Sequence, residues 1–335
     1  MLNLAVLGCG RIGAMHARNI ARHKKARLSA VFDIHRPAAE AVAEELDVFA
    51  ADSVEDLLAS GGIDAVLIAT ATDTHADLIE AAAKAGKAIL CEKPIDINIE
   101  RVNRCAAAIA DYDVPIQIGF NRRFDPGHRA ARAAVQAGEI GDLHQVIITS
   151  RDPEIPPRAY LEAAGGLLRD MTIHDFDLAR YMLDDEPVEV FAVAGALIDP
   201  ELGAELDEVD TAMIILRCAD GKMCHINGSR TAVYGYDQRI ELLGRNGMIQ
   251  SNNRKPHEMR RFGATSVESS APYLFFFIER YQESFNAEIE SFVESVMAGR
   301  PPEVGFEDGR RALLLAEAAY KSVAEKRMVR VDEVG

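Results

Sequence analysis

The 335-residue chain contains no tryptophan and only 6% aromatic residues, a scarcity that by itself excludes no function. Its cysteines say more. Cys9, Cys91, Cys105, Cys218 and Cys224 are odd in number and form no C-x-x-C pair, which argues against a disulfide framework and against a zinc knuckle. They are expected to be reduced and mostly in the core. The nine histidines include no H-E-x-x-H and no close pair, so no metal site is expected. Basic residues are outnumbered, 37 Lys plus Arg against 53 Asp plus Glu, and the net charge of -16 repels phosphate backbones and anionic membranes. Nucleic acid is therefore not an expected partner. Apolar runs such as residues 65–71 and 273–278 fall far short of the ~20 residues that span a bilayer, so no membrane partner is expected either. Met1-Leu2-Asn3-Leu4 has no basic segment before an apolar one and reads as a first strand, not a signal peptide. These features point to a cytoplasmic protein.

What is present is an ordinary globular composition, 48% apolar and 27% charged, in a chain long enough for two domains. Residues 2–120 alternate short apolar runs with longer alanine-rich helical patterns, the signature of βαβ units and a parallel sheet. Strands are predicted at 2–7, 28–32, 65–69, 88–91 and 116–119, with helices at 14–22, 37–46, 54–59, 76–85 and 100–110. Past residue 120 strand-like runs follow one another at 145–150, 188–194, 211–217, 222–228, 239–243 and 248–249. Asp220-Gly221 and Asn246-Gly247 serve as hairpin turns. A helix at 125–137 precedes these strands, one at 167–183 interrupts them early, and two more, at 284–297 and 309–325, close the chain. The fold class is α/β: a doubly wound parallel sheet over residues 1–120, then an α+β domain over 121–335 with a mainly antiparallel sheet, its last helix expected to pack back on the first domain.

Gly8-Cys9-Gly10-Arg11-Ile12-Gly13 is a G-x-G-x-x-G fingerprint set between an apolar strand and a helix, the context a dinucleotide site requires. Gly8 permits the tight turn, Gly10 the approach of a pyrophosphate and Gly13 close packing of helix on strand. Arg11 and Ile12 lie in the same loop, whose helix N-terminus offers free N–H groups to phosphate. Asp33, twenty residues on at the end of the second strand, can accept hydrogen bonds from ribose hydroxyls and repels a 2′-phosphate, which favours NAD over NADP. Arg36 nearby leaves room for NADP. Ala71-Thr72-Asp73-Thr74-His75 follows the next strand at its carboxyl end, the side where ligands bind; Ala71, Thr72 and His75 are candidate cofactor contacts, and Asp73 or Thr74 a candidate helix cap.

Glu92-Lys93-Pro94 follows the strand at 88–91, where a nicotinamide would end. A partly buried lysine there can donate or relay a proton to a carbonyl or hydroxyl oxygen. Pro94 keeps Lys93 extended. Asp170 and His174, four apart in the helix at 167–183, share one helical face and form a candidate acid–base pair; the plain alternative is a surface i,i+4 pair.

The glycine fingerprint, Glu92-Lys93-Pro94 and the Asp170-x-x-x-His174 helix together resemble the Gfo/Idh/MocA family of NAD(P)-dependent sugar and polyol oxidoreductases, along nearly the whole chain. Residues 119–125, 150–153 and 169–177 are most similar to its inositol-oxidising members. The resemblance implies a Rossmann domain followed by an open-sheet domain that supports homo-oligomers, commonly tetramers. It implies Lys93, Asp170 and His174 as the catalytic set, and Asn121, Arg122, Asp152 and one of Tyr234 and Tyr236 as substrate contacts, with Glu92 beside the cofactor. It further implies NAD-dependent oxidation of a cyclic polyol, myo-inositol first, with scyllo-inositol or an aldose as alternatives. A non-catalytic NAD-binding sensor is the rival from another class.

Overall fold

The computed structural model describes residues Met1–Gly335, the side chain of Ser266 excepted. The chain forms two compact units, residues 1–121 with 285–313 and residues 122–284 with 314–335.

In the first unit, β1 (Leu2–Leu7), β2 (Ala26–Phe32), β3 (Phe49–Ala50), β4 (Ala65–Ile68), β5 (Ala88–Cys91) and β6 (Ile116–Ile118) form one sheet in the order β3-β2-β1-β4-β5-β6. Every pairing is parallel. All residues of β4 and β5 are buried, as unbroken apolar runs in a parallel sheet covered on both faces must be. The strand order reverses between β1 and β4, so the glycine loop after β1 opens at the switch point of the sheet. Local chemistry sets the helix ends: Asn98 accepts from the N–H groups of Glu100 and Arg101 at 2.8 and 3.4 Å, and Pro37 sits in the first turn of Arg36–Leu46. The two-residue β3 is too short for periodicity to reveal.

Residues 285–313 belong to this first unit, whereas the sequence reading gave all of 121–335 to the second domain. The physical reason is the apolar stripe of the helix Gln282–Met297. Its Ile289, Phe292 and Val293 are at most 1% exposed and join the core built from Leu4, Val6, Leu28, Val31 and Leu67. An amphipathic helix settles where its apolar face is covered, not where chain order would place it.

In the second unit, β7 (Leu143–Arg151), β8 (Pro187–Gly195), β9 (Thr211–Cys218), β10 (Met223–Ser229), β11 (Asp237–Gly244) and β12 (Gly247–Ser251) join a mixed sheet. A separate hairpin is made by β13 (Arg260–Gly263) and β14 (Ser266–Ser270), and β15 (Val329–Arg330) adds the last edge, giving the order β12-β11-β7-β10-β9-β8-β15. The sheet is antiparallel except for the parallel pair β7 and β10. Burial alternates strictly along β9, so one face is covered and the other open. The predicted helix at 167–183 is two helices, Leu167–Asp170 and Ile173–Leu183, broken at Met171 and Thr172. The second is buried nearly all round. Its Asp175 and Asp177 are buried too, and pair with Arg122 and Arg123. Two short helices, Arg158–Ala164 and Pro200–Leu206, lie outside the predicted elements.

If the helix Gln282–Met297 is core to the first unit, Phe292→Ala should cost about 3–5 kcal/mol in denaturant unfolding. A loss below about 1 kcal/mol would mean that its ring is not packed in that core.

Candidate active site

The first unit carries the glycine fingerprint, and three glycines explain its shape. A β-carbon on Gly13 would lie 1.8 Å from the carbonyl oxygen of Gly8, and one on Gly8, which has φ +93°, would lie 2.4 Å from the Ala69 carbonyl oxygen. Neither position tolerates a side chain. A β-carbon on Gly10 would meet nothing within 4 Å. Gly10 is also the N-cap of the helix Arg11–Ala21 and supplies no side-chain cap, which leaves the first-turn N–H groups for an anion. These residues fit a dinucleotide pyrophosphate.

Asp33 is locked beside this loop. One carboxylate oxygen accepts from the Cys9 N–H at 2.6 Å, the other from the His35 N–H at 2.7 Å. Arg36 is committed elsewhere, to Glu40 at 2.9 Å, Asp52 at 2.6 Å and the Ala51 carbonyl at 3.0 Å. A guanidinium held by two acids is poorly placed to recruit a 2′-phosphate, so the surroundings favour NAD.

Ala71 and Thr72 enter a short 3-10 turn, Thr72–Thr74, ahead of the helix His75–Lys84. Thr74 stands at the N-cap of that helix, as predicted, but its side chain makes no capping hydrogen bond. The Thr74 hydroxyl donates instead to the Ala71 carbonyl at 2.7 Å and pairs with the Thr70 hydroxyl. His75 turns inward: it is 2% exposed, with Nδ1 2.8 Å from the Pro94 carbonyl oxygen and Nε2 3.1 Å from that of Thr70. Burial lowers its pKa, against the opposing pull of the two carbonyl groups. The predicted cofactor contact thus ties the loop after β4 to the one after β5. Lys93 is half-buried and joined to Pro94 by a cis peptide bond. Glu92, a predicted cofactor neighbour, directs its carboxylate at His16 Nε2, 2.7 Å away.

In the second unit the parallel pairing of β7 with β10 sets Arg151 opposite Ser229, which brings the next residues, Asp152 and Arg230, side by side. Arg230 is buried, with Nη1 3.1 Å from Asp170 Oδ2 and 3.5 Å from Asp152 Oδ2. Tyr160 donates its hydroxyl to Asp170 Oδ1 at 2.8 Å. Burial pushes the Asp152 carboxyl up to about 6; Arg230 opposes the rise and the like charge of Asp170 adds to it. His174 is half-buried in the first turn of Ile173–Leu183, beyond the break that separates it from Asp170. Sequence reading missed Arg230 and Tyr160. Their only signal was an ionisable residue next to a strand or helix, which many residues share.

The remaining predicted contacts are placed differently. Arg122 and Tyr236 are buried within the second unit. The Arg122 guanidinium pairs with Asp175 and donates to Ser150 at 3.3 Å and to the Tyr236 hydroxyl at 3.5 Å. Tyr234 donates to Asp237 at 2.9 Å and accepts from Arg151 at 2.6 Å. Asn121 is buried and is the last residue of the first unit's leading segment.

A nucleotide-binding sheet joined to an open-sheet domain with clustered acids defines a two-domain dehydrogenase. Residues 2–120 match the family model "Oxidoreductase family, NAD-binding Rossmann fold", and residues 128–250 match the GFO/IDH/MocA C-terminal domain. The chain belongs to the GFO/IDH/MocA family of oxidoreductases. It is 46% identical to an inositol 2-dehydrogenase of Rhizobium meliloti strain 1021, over 98% of this chain and 99% of the relative. It is 42% identical to a myo-inositol 2-dehydrogenase of Thermotoga maritima, over 99% of both. The crystal structure of scyllo-inositol dehydrogenase from Lactobacillus casei with bound NAD(H) and scyllo-inositol superposes with a TM-score of 0.91 at 28% identity, covering 99% of each chain.

Because the pKa of Asp152 is raised in the fold, its contribution to stability is complete below about pH 4 and is lost as pH rises through about 6. Asp152→Asn should therefore gain stability relative to the parent chain between about pH 4 and about pH 8, by up to about 3 kcal/mol in denaturant titrations. A difference that stays constant over that interval would contradict a raised Asp152.

Proposed function

We propose that the protein catalyses NAD-dependent oxidation of a cyclic polyol, myo-inositol to 2-keto-myo-inositol. The observation that carries this is the end-to-end similarity to an inositol 2-dehydrogenase, 46% identity over 98% of the chain, in a sequence that has Lys93, Asp170 and His174. Bound NAD supplies the hydride acceptor. Gly8, Gly10, Arg11, Ile12 and Gly13 hold its pyrophosphate and Asp33 its adenosine ribose. His174 accepts the proton of the reacting hydroxyl, and Lys93 hydrogen-bonds the reacting oxygen and helps relay that proton. Asp170, paired with Arg230 and hydrogen-bonded by Tyr160, orients the histidine or the substrate. Asp152 binds a second hydroxyl. A ring with many hydroxyls is well suited to such a site, since a missing hydrogen bond leaves a buried polar group unpaired.

Among the described residues no helix is long and apolar enough to cross a membrane, and all five cysteines are free thiols. Free thiols support a cytoplasmic location. A tetramer is supported by the open face of the second unit's sheet, where cross-strand pairing lines up Val193 with Met213 and Leu243 with Met248, all at least 39% exposed. An apolar face of this kind marks an interaction surface.

Lys93→Ala and His174→Ala should each lower kcat by about 10²–10⁴-fold while NAD still binds. Near-normal turnover in either variant would remove that residue from the mechanism. Across a panel of inositols and aldoses, kcat/KM should be highest for myo-inositol with NAD; a preference for NADP would overturn the role of Asp33. Light scattering should give four times the 36.6 kDa chain mass, and a monomer would remove the sheet face as an interface.

A further inference from the structure

Behind Glu92, inside the first unit, lies a cluster that the reaction as described does not use. His16, Glu92 and Glu288 each offer a polar atom within 4.8 Å of the others. His16 Nε2 meets Glu92 Oε1 at 2.7 Å, and the His16 ring stands edge-on to Phe285 with centroids 5.6 Å apart. Glu92 has no slack on its other side, since a β-carbon on Gly119 would come within 2.9 Å of Glu92 Oε2. Glu288 is fully buried on the helix Gln282–Met297, its own carbonyl accepting from Gln117 Nε2 at 3.2 Å. Among the described residues neither oxygen of its carboxyl group has a hydrogen-bond donor.

A buried carboxylate without a donor is strongly disfavoured, and a second carboxylate beside it worsens the case. One added proton resolves both difficulties, because a carboxylic acid becomes a donor and Glu92 offers an acceptor oxygen within 4.8 Å. We propose that Glu288 is an uncharged carboxylic acid that shares its proton with Glu92, and that it acts through Glu92 as a positioning residue for Lys93. Burial, followed by the like charge of Glu92, raises the Glu288 pKa well above the ordinary carboxylate range, in agreement with the geometry. A bound cation would satisfy the same carboxyl groups. The 2.7 Å contact between His16 and Glu92 speaks against it: that is a direct hydrogen bond, shorter than the edge of about 3.3 Å between two ligands of a tetrahedral zinc. The chain of contacts runs from a core helix through Glu288 and Glu92 to the residue that precedes Lys93. The functional part of the inference rests on the proposed role of Lys93.

Two measurements on the full-length enzyme separate the protonation from the role. At about pH 8 the infrared spectrum of the parent chain should contain a protonated-carboxyl C=O stretch that Glu288→Gln removes; absence of that band, or a stoichiometric metal ion by elemental analysis, would overturn the shared proton whatever Lys93 does. In kinetics Glu288→Ala should lower kcat by about 10–100-fold with KM for NAD unchanged, and Glu288→Gln, which keeps a donor, should restore it to within about threefold. Equal losses in both variants, or none in either, would overturn the positioning role. Lys93→Ala assayed in parallel distinguishes the cases, because normal turnover in that variant is failure of the lysine reading alone.

Discussion

The second unit is organised around one buried guanidinium. Arg230 sits beside two carboxylates, Asp152 and Asp170, and without it the pair would be like charges withdrawn from water. Its placement follows from the single parallel pairing in an otherwise antiparallel sheet, which ends β7 and β10 at the same level. The two acids are nonetheless unequal. Asp170 also receives the Tyr160 hydroxyl and lies closer to the guanidinium, whereas the carboxyl of Asp152 is pushed up to about 6. Neighbouring carboxyl groups set apart in this way can take different tasks, one holding charge and the other hydrogen-bonding a neutral ligand.

The first unit reaches its function through backbone more than side chains. Gly8 and Gly13 allow helix and strand to close on each other, and Asp33 is fixed by two backbone N–H groups. The loops that follow β4 and β5 are joined by His75, a buried ring between two carbonyl groups. Rigid support of this kind serves hydride transfer, whose rate depends on holding the reacting atoms close and aligned.

Legibility in the sequence followed the range of the interactions. The fingerprint, Asp33, the strands of the parallel sheet and the hairpin turns are written in contiguous residues, and they emerged nearly as read. Glu92-Lys93-Pro94 stands out for the same reason, as a contiguous motif at the end of a strand. Arg230 was not, because only long-range strand pairing brings it to Asp152. The buried pairs of Asp175 with Arg122 and Asp177 with Arg123 were hidden too: charged residues in a helix read as a solvated face until a partner is known. The break at Met171 and Thr172 has no proline or glycine to announce it. The helix Gln282–Met297 looked like part of the second domain because chain order was the only guide, although its apolar stripe completes the core of the first.

Hydride transfer from a ring carbon is the chemistry to which all these placements lead, and isotopic labelling tests it directly. With myo-inositol deuterated at C2 and NAD as oxidant, one deuterium per turnover should appear at C4 of the reduced nicotinamide, read by NMR or mass spectrometry. Reduced cofactor that carries no deuterium, with the label retained at C2 of the oxidised polyol, would contradict direct transfer from that carbon.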